Sequence, residues 1–479
     1  MPALQTYNQI DQALGHYPLI RALFEMAEQR GTPIYLVGGT VRDLLLGRET
    51  HDLDFAVQGS GLALARHVAD QLQGYFVPLD RERRTGRVLL PRTSPAEPAA
   101  GESHLSPPPR YLDIASLRGD GLLTDLKGRD FTLNAIAIGP AAGTGWRIHD
   151  PLGGSEDLGK GRLRMASPTS FTDDPVRTLR AVRLQAQFDL QIEAKTHGRL
   201  RAAVPLLGRV SAERIRDEWF KLLALPGAAA ALDEMAQLDM LYEVAPPLAQ
   251  ADLAHALATV AAVERLWAAF QPVAAPQKAP CLPLADNLRQ LTPPIRHRYT
   301  NLVCDERSYL AMLKCAALLH SARAESTTLA ERWRLSKREA ELLQTAIHRY
   351  PDVAPLMEHA DISRRAIYRF FSQTGETGID AAILFLAHTL AEQEGDTGPN
   401  WLSRTRTVGR LLEAWFEQRD TLISPAPLLS GRDVMQALDL PPGPRIGELL
   451  QRLSEEQAAG EILTRQQALA FAHRWKTQG

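Results

Sequence analysis

The chain has 479 residues, of which 45% are apolar and 23% are charged, a composition typical of globular proteins, and its length predicts about three domains. Three cysteines are too few for a disulfide framework and favour a reducing, cytoplasmic setting, and no apolar run or basic N-terminal segment indicates a membrane span or a secretory signal. The formal net charge of −2 excludes a uniformly basic nucleic-acid binder, although a local basic surface stays compatible with it.

Residues 1–150 alternate short apolar runs with turn residues, which predicts a small sheet with helices. The predicted strands are Pro33–Gly38, His51–Val57, Arg87–Leu90 and Tyr111–Ala115. The predicted helices are Thr40–Leu46, with Thr40 as its N-cap, and Gly61–Leu72. Between the last two strands, Pro91–Arg110 contains six prolines, and we expect a mobile surface loop there.

From Asp150 onward, apolar residues recur at helical spacing, and we expect no further strand. A Pro-rich stretch at 271–294 interrupts the helical part, and a further boundary is predicted near Tyr350. The predicted fold class is therefore α+β, with a small N-terminal sheet and helices followed by an all-α neck, body and tail. The corresponding domains are residues 1–150, 151–225, 226–350 and 351–479.

Paired glycines stand where the first strand meets the first helix, in the segment Gly38–Asp43. Glycine lets the backbone approach a ligand closely, and the free amides at a helix start suit a phosphate. A Gly-Gly turn taken alone is usually only a turn. Gly38, Gly39 and Arg42 therefore become candidate nucleotide contacts only in combination with the acidic residues of the next strand.

Two aspartates, Asp52 and Asp54, lie on the second predicted strand. Residues two apart in a strand project on the same face, so their carboxylates are expected side by side. Burying two adjacent carboxylates without a cation is costly, and carboxylate oxygens suit Mg²⁺. The alternative is a solvent-facing strand edge, but the apolar residues 55–57 indicate a strand inside a core.

These motifs together resemble the opening of class II tRNA nucleotidyltransferases and bacterial poly(A) polymerases, in the polymerase β-like nucleotidyltransferase superfamily. Three further segments resemble later motifs of that family in the same order, namely Arg129–Ala137, Asp173–Arg183 and Ser211–Glu218. The tail, 442–464, is similar to the C-terminal helices of many members. The resemblance thus extends over nearly the whole chain.

The resemblance implies roles for individual residues. Asp52 and Asp54 would hold two Mg²⁺ ions, and Asp113 on a neighbouring strand would support them or, equally, be only a sheet-edge acid. Arg129 would contact the triphosphate and Asp130 the ribose hydroxyl, unless the two form only a surface ion pair. The family usually has a second arginine where this chain has Gly128, which puts one phosphate or neck contact in question.

In the family, residues matching Asp174 and Arg177 read the incoming base. A carboxylate accepts from an exocyclic amino group, which CTP and ATP share and which UTP and GTP replace by a carbonyl. Arg180 and Arg183 follow at helical spacing and would reach phosphates or brace this pair. The structural alternative is that Asp173–Pro175 simply starts a helix, with an acidic cap and a proline in the first turn.

A basic window at 177–216 has nine Lys or Arg against three acids, a net charge of +6. Such a run is usually a solvated face, but beside a nucleotide site it is predicted to hold an RNA backbone. With the resemblance, residues 1–150 become the catalytic head and 151–225 a neck that binds nucleotide and RNA. Residues 226–350 become a helical body and 351–479 an RNA-binding tail.

The helical body contains His320, at the end of an apolar helix. Some relatives carry a His-Asp metal phosphohydrolase domain at about this place. Here Ser321 follows His320, so the aspartate is missing. We therefore expect a degenerate region in which His320 only packs, without a second metal site.

The predicted function is template-independent addition of CMP, AMP or both, from CTP and ATP, to the 3′ end of tRNA, with release of pyrophosphate. The alternatives are a poly(A) polymerase, a specialised CC- or A-adding enzyme, or an inactive RNA-binding relative. The intact Asp52, Asp54, Asp174 and Arg177 favour activity over the last of these. The sequence predicts neither the exact primer nor the oligomeric state.

Overall fold

The computed structural model describes residues 14, 17–48, 50, 52–80, 82, 84–90, 111–141, 146–272, 282–304, 306–358, 361–393, 397–398 and 400–478, with the side chains of Asp52 and Gln478 also outside the description. The predicted loop Pro91–Arg110 lies outside these residues. The chain divides into two compact units, Met1–Val210 and Ser211–Gly479. The structure is mixed α and β, with an N-terminal sheet and a helical remainder, as predicted.

The first unit is built on a seven-stranded sheet in the order β3-β4-β5-β2-β1-β6-β7. Its strands are β1 Ile34–Val37, β2 Asp52–Val57, β3 Tyr75–Asp80, β4 Thr85–Leu89, β5 Tyr111–Ser116, β6 Ala137–Pro140 and β7 Trp146–His149. The neighbours β2 and β5 are parallel, and the other pairs of this sheet are antiparallel. The parallel pair sets Asp54 directly beside Asp113.

The described part of the first unit also contains helices, some of which pack on the sheet. They are α1 Pro18–Gln29, α2 Gly39–Leu45, α3 Gly61–Gln71, α4 Leu122–Lys127, α5 Gly154–Gly159, α6 Ser170–Asp173, α7 Arg177–Phe188 and α8 Ala194–Ala203. The apolar side of α3, carried by residues such as Leu64 and Val68, is buried, and α3 packs on β4 and β5. That burial explains why a helix forms between two strands of one sheet.

Several local predictions need correction. The helix α2 begins at Gly39 with Gly38 as its N-cap, so Thr40 is not the cap, and its hydroxyl instead accepts the amide N–H of Asp54 at 3.0 Å. The strand β3 is not predicted from the sequence because Pro78 lies in its middle. The structure shows that β3 is an exposed edge strand, and such a strand tolerates a proline. The expectation of no strand after Asp150 is wrong, since short strands follow at β8 Arg162–Leu163, β9 Gln191–Ile192, β10 Leu302–Cys304 and β11 Arg307–Ser308.

The second unit is almost wholly helical among its described residues. Its helices are α9 Ala212–Leu223, α10 Ala228–Gln237, α11 Met240–Val244, α12 Leu253–Ala269, α13 Asp286–Gln290, α14 Thr292–Thr300, α15 Tyr309–Leu319, α16 Ser326–Arg332, α17 Lys337–Arg349, α18 Arg364–Thr374, α19 Gly378–Glu392, α20 Trp401–Glu417, α21 Gly431–Leu438, α22 Pro444–Ala459 and α23 Arg465–Gln478. At its centre α12 packs against α15 and α19. Every residue of α15 is buried, which explains why its sequence is apolar except for Lys314, whose ammonium group is paired with Glu264. Among the described helices, none combines the length and the apolar character needed to cross a membrane.

Candidate nucleotide-binding site

The turn between β1 and α2 brings the backbone close to two functional side chains. Gly38 has φ of +74°, a conformation that L side chains rarely adopt. A Cβ at this position would lie 3.0 Å from Nη1 of Arg129 and 3.5 Å from Oδ2 of Asp54. Glycine is therefore required both by the backbone angle and by space, and Asp54 and Arg129 are brought together across it.

The carboxylates of the central strands share one face of the sheet. Asp54 on β2 and Asp113 on β5 are register partners, and Asp113 pairs in turn with Arg87 on β4. The strand β5 lies between β4 and β2, so Asp113 is inside the sheet, and the Arg87 guanidinium donates to both of its oxygens at 2.8 Å. The interpretation of Asp113 as a sheet-edge acid is therefore wrong. The backbone of Asp52 begins β2, but its side chain lies outside the described part of the chain.

Arg129 is fixed by an acid that the sequence analysis did not single out. Its Nε and Nη2 donate to Oδ2 of Asp125 at 3.1 and 2.9 Å, and Asp125 is buried. Arg118 donates to the carbonyl oxygen of Gly128 at 2.7 Å. A Cβ at Gly128 would lie 3.2 Å from Nη1 of Arg118. Arg118 thus places a guanidinium next to the position where the family usually has an arginine.

Asp130 is the centre of a buried hydrogen-bond network. Its Oδ1 accepts from the amide of Phe131 at 2.8 Å and from Asn134 at 3.0 Å, and its Oδ2 accepts from Arg180 at 3.1 Å. Burial alone would raise the pKa of Asp130, but Arg180 and these hydrogen bonds outweigh it and lower the pKa to about 2. The surface ion pair of Arg129 with Asp130, considered from the sequence, is replaced by separate partners for each residue.

Arg177 connects the first turn of α7 to the segment that carries Arg129. Its Nη2 donates to the carbonyl oxygen of Gly128 at 2.9 Å, and its Nη1 donates to that of Arg129 at 3.2 Å and to the hydroxyl of Ser170 at 3.0 Å. Its Nε lies 3.7 Å from Oδ2 of Asp174. Burial lowers the pKa of Arg177 from its ordinary value, while the neighbouring acids oppose that shift.

Asp174 does not cap the helix that follows it. The N-cap of α7 is Val176, which makes no side-chain capping hydrogen bond, and Asp174 lies between α6 and α7 in extended backbone. The side chain of Asp174 is 16% exposed. The structural alternative of an acidic cap at Asp173–Pro175 therefore does not account for this residue.

Some of these groups line one cavity of 650 Å³ within the first unit, whereas Asp54, Asp113 and Asp130 do not. It is lined by the start of β4, the end of β5, the end of α4 and the residues that join α6 to α7. Among the residues predicted from the sequence, Arg129, Asp174 and Arg177 line it, together with Arg118 and Asp125. The structure thus brings the predicted triphosphate contact and the predicted base-reading pair to a single space.

Other predicted contacts do not line that cavity. Arg42 is buried, donates to Asp43 at 2.9 Å and to Asn134 at 2.8 Å, and packs over the ring of Phe188. Arg183 donates to Gln187 at 2.8 Å. Arg42 thus connects α2 to Asn134 near Asp130 and to the end of α7, which is a bracing position, whereas this hydrogen bond of Arg183 lies within α7. Arg118 and Asp125 were missed because each acts through a fold contact and belongs to no recognised motif, whereas Asn134 lies within the motif Arg129–Ala137 but was not singled out there.

The basic window begins on α7 and continues along α8. On α8, Lys195, Arg199 and Arg201 are exposed, and no ion pair involves Arg199 or Arg201 among the described residues. Unpaired exposed cations keep their charge available to a polyanion.

In the second unit, His320 is buried, and its Nδ1 lies 2.7 Å from the carbonyl oxygen of Ala317, as expected of a packed histidine. Its ring also lies beside those of His255 and His388. The sequence analysis did not predict that grouping.

Three family models match successive parts of the chain. Residues 34–164 match the poly A polymerase head domain, residues 189–252 match the probable RNA and SrmB-binding site of polymerase A, and residues 305–472 match the putative domain 2 of tRNA nucleotidyltransferase.

Two curated relatives match over nearly their whole length. A CC-adding tRNA nucleotidyltransferase of Geobacter sulfurreducens is 32% identical over 95% of this chain and 94% of its own. An A-adding tRNA nucleotidyltransferase of Deinococcus radiodurans is also 32% identical, over 92% of this chain and 95% of its own.

Solved structures share the fold. A CCA-adding enzyme in complex with CTP superposes with a TM-score of 0.66 at 21% identity, covering 99% of both chains. The Thermotoga maritima CCA-adding enzyme in complex with tRNA superposes with a TM-score of 0.59 at 22% identity, covering 96% of this chain and 95% of that one.

Proposed function

Since this chain belongs to the family of class II tRNA nucleotidyltransferases and bacterial poly(A) polymerases, we propose that it adds CMP, AMP or both, from CTP and ATP, to the 3′ end of tRNA. The observation that carries the proposal is the cavity of 650 Å³, where Arg129, Asp174 and Arg177 meet. The reaction would join the 3′-hydroxyl of the RNA to the α-phosphate of the nucleotide and release pyrophosphate.

A divalent cation is typical of this family, and the donors of the first unit fit one. Asp54 presents a carboxylate beside a glycine turn, and carboxylate oxygens are the ligands that Mg²⁺ prefers. Asp52 and Asp54 would hold two Mg²⁺ ions, whereas Asp113, already paired with Arg87, would support the strand. When bound, such ions activate the attacking hydroxyl and neutralise the pyrophosphate leaving group.

The chain's own cations would orient the triphosphate. Arg129 lies across Gly38 from Asp54, so a phosphate between them would meet a guanidinium and the amide end of α2. Asp125 holds Arg129 in that position from behind. A contact between Asp130 and the ribose hydroxyl stays a prediction, and in the structure both oxygens of Asp130 already accept hydrogen bonds.

Base selection would fall to Asp174 and Arg177 at the other side of the same cavity. Asp174 would accept from the exocyclic amino group of C or A, and Arg177 would hold the segment 128–129 against α7 while donating to the base. This arrangement selects a base by protein side chains without a template strand. The exposed cations of α8 would hold the tRNA backbone.

The domain roles predicted from the sequence agree with the same proposal. Residues 1–150 would carry the chemistry and 151–225 the nucleotide and RNA contacts, with helical segments 226–350 and 351–479 beyond them. The cytoplasmic location stays a prediction.

The proposal is tested with tRNAs truncated at successive 3′ positions, each incubated with one NTP at a time. Incorporation of C on tRNAs lacking CC, or of A on a tRNA ending in CC, is the expected result. C addition alone identifies a CC-adding enzyme, and A addition alone an A-adding one. Long A tails on unrelated RNAs would identify the poly(A) polymerase alternative, and the absence of any incorporation with Mg²⁺ would contradict the proposal.

A further inference from the structure

Three histidines from separate helices meet in the second unit. His255 lies in the first turn of α12, His320 directly follows α15, and His388 lies near the end of α19. One ring nitrogen from each lies within 4.8 Å of the others, and the ring centroids are 4.9 to 5.2 Å apart. We call these residues the histidine cluster.

The orientation of each ring is set by a neighbour. The Nδ1–H of His320 donates to the carbonyl oxygen of Ala317 at 2.7 Å, which leaves Nε2 with a free lone pair. Nδ1 of His388 lies 2.9 Å from Nε2 of His255, while Nε2 of His388 lies 3.5 Å from a carboxylate oxygen of Glu392. A carbonyl or carboxylate behind a histidine is the arrangement by which proteins orient a metal-binding imidazole.

Solvent can reach the histidine cluster. His320 is buried and the other two rings are partly exposed, so an ion has a path to the cluster from solvent.

One buried polar atom beside the cluster makes no hydrogen bond within the described chain. It is Oγ of Ser321, which directly follows His320. Buried polar atoms are almost always partnered by protein, water or an ion. Hydrophobic packing alone therefore does not account for this region.

We infer that the histidine cluster binds one Zn²⁺ ion through His255, His320 and His388. Tetrahedral zinc with bonds of about 2.0–2.1 Å places its ligand nitrogens about 3.4 Å apart. In the cluster, Nε2 of His255 and Nδ1 of His388 are 2.9 Å apart, and one nitrogen from each of the three rings lies within 4.8 Å of the others. Three imidazoles without a carboxylate favour zinc over Mg²⁺ or Ca²⁺, which prefer oxygen ligands. The fourth position stays open to water or another oxygen ligand.

This inference departs from the expectation of no second metal site at His320. The missing aspartate at Ser321 removes one oxygen ligand, but His255 and His388 supply nitrogens from elsewhere in the chain. The inference is independent of the nucleotide-binding site, which lies in the other unit.

The test uses the full chain, stripped with a chelator, dialysed into excess Mg²⁺ to occupy carboxylate sites, and titrated with Zn²⁺. We expect one zinc per chain by elemental analysis, a rise in Tm on adding zinc, and the visible absorption of a four-coordinate ion when Co²⁺ replaces it. The variants are His320→Ala and the milder His388→Gln, with the exposed His473→Ala on α23 as matched control.

Each histidine variant is expected to weaken zinc binding at least about 100-fold and to lose the zinc-dependent rise in Tm, while His473→Ala behaves as wild type. If His320→Ala does not fold, His388→Gln decides, because that residue is partly exposed. Unchanged zinc affinity in folded His388→Gln, or wild-type protein that takes up no zinc, would overturn the inference.

Discussion

The polar clusters of the two units differ in the side chains that form them. In the first unit several candidate functional groups are charged and meet a partner of opposite charge, as Asp113 meets Arg87 and Asp130 meets Arg180. In the second unit the cluster consists of three imidazoles that meet one another. Charged oxygens and guanidiniums suit Mg²⁺ and phosphates, whereas neutral nitrogens suit a transition metal. The side chains of the two units therefore favour different kinds of ligand.

The largest effect is expected from Asp54→Asn. Losing the carboxylate beside Gly38 removes a proposed Mg²⁺ ligand, so nucleotide addition should fall at least about 10³-fold while Tm is preserved. Zinc uptake by the second unit should not change, and that result would show that the two proposed metal sites are independent. Asp70→Asn, an exposed change on α3, is the control. Substantial Mg²⁺-dependent incorporation by folded Asp54→Asn would remove this aspartate from the metal site.

The next effect is expected from Arg177→Ala. The change leaves the carbonyl oxygens of Gly128 and Arg129 without their donor, so kcat/KM for nucleotides should fall about 10- to 100-fold and Tm should also fall. Steady-state kinetics with CTP and ATP, run beside Arg177→Lys, measures it. The lysine keeps the charge but not the forked geometry and should recover little. Wild-type kinetics in Arg177→Ala would show that this arginine does not organise the cavity.

At low pH the fold of the first unit should lose stability because Asp130 becomes protonated. Because its pKa in the folded protein is about 2 and its ordinary value is 3.8, the ionised carboxylate stabilises the fold above about pH 4. That stabilisation, about 2 kcal/mol, should be lost as the pH falls from about 4 to about 2. Melting curves of wild type and Asp130→Asn should therefore converge over that range. A Tm difference that is the same at every pH would contradict the low pKa.

The smallest effect is expected at the surface of α8. Arg199→Glu with Arg201→Glu should weaken tRNA binding about tenfold at low salt, with less effect on NTP binding, and the loss should shrink as salt rises. The control reverses Arg30 and Arg147, also exposed and in the same unit, with the same change of net charge. Equal losses in both double variants would mean that α8 contributes only overall charge.

Much of the first unit could be predicted because its residues act close to one another in the sequence. The strand, glycine turn and Asp54 form a continuous pattern, and the resemblance supplied Arg129, Asp174 and Arg177. The pattern could not show that Arg118 fills the space beside Gly128, because that contact depends on how the chain folds back after β5.

The histidine cluster could not be predicted for the same physical reason. His255 and His388 are 133 residues apart and lie on different helices, so no local spacing connects them. From the sequence, His320 at the end of an apolar helix indicates a packed residue. Only the fold shows that α12 and α19 bring His255 and His388 to it. Short strands such as β6 were missed because too few residues alternate to give a periodic signal.

The most direct measurement of the central claim is kcat/KM for all four NTPs in wild type and Asp174→Ala, with Tm measured alongside. If Asp174 reads the exocyclic amino group, wild type should prefer the nucleotide it adds, C or A, over UTP and GTP. Each unmet hydrogen bond is worth about 1–3 kcal/mol, or roughly 10- to 100-fold in selectivity. Asp174→Ala should lose that selectivity together with rate, at nearly unchanged Tm. Full retention of the preference in Asp174→Ala would contradict the assignment of this cavity as the base-selecting site.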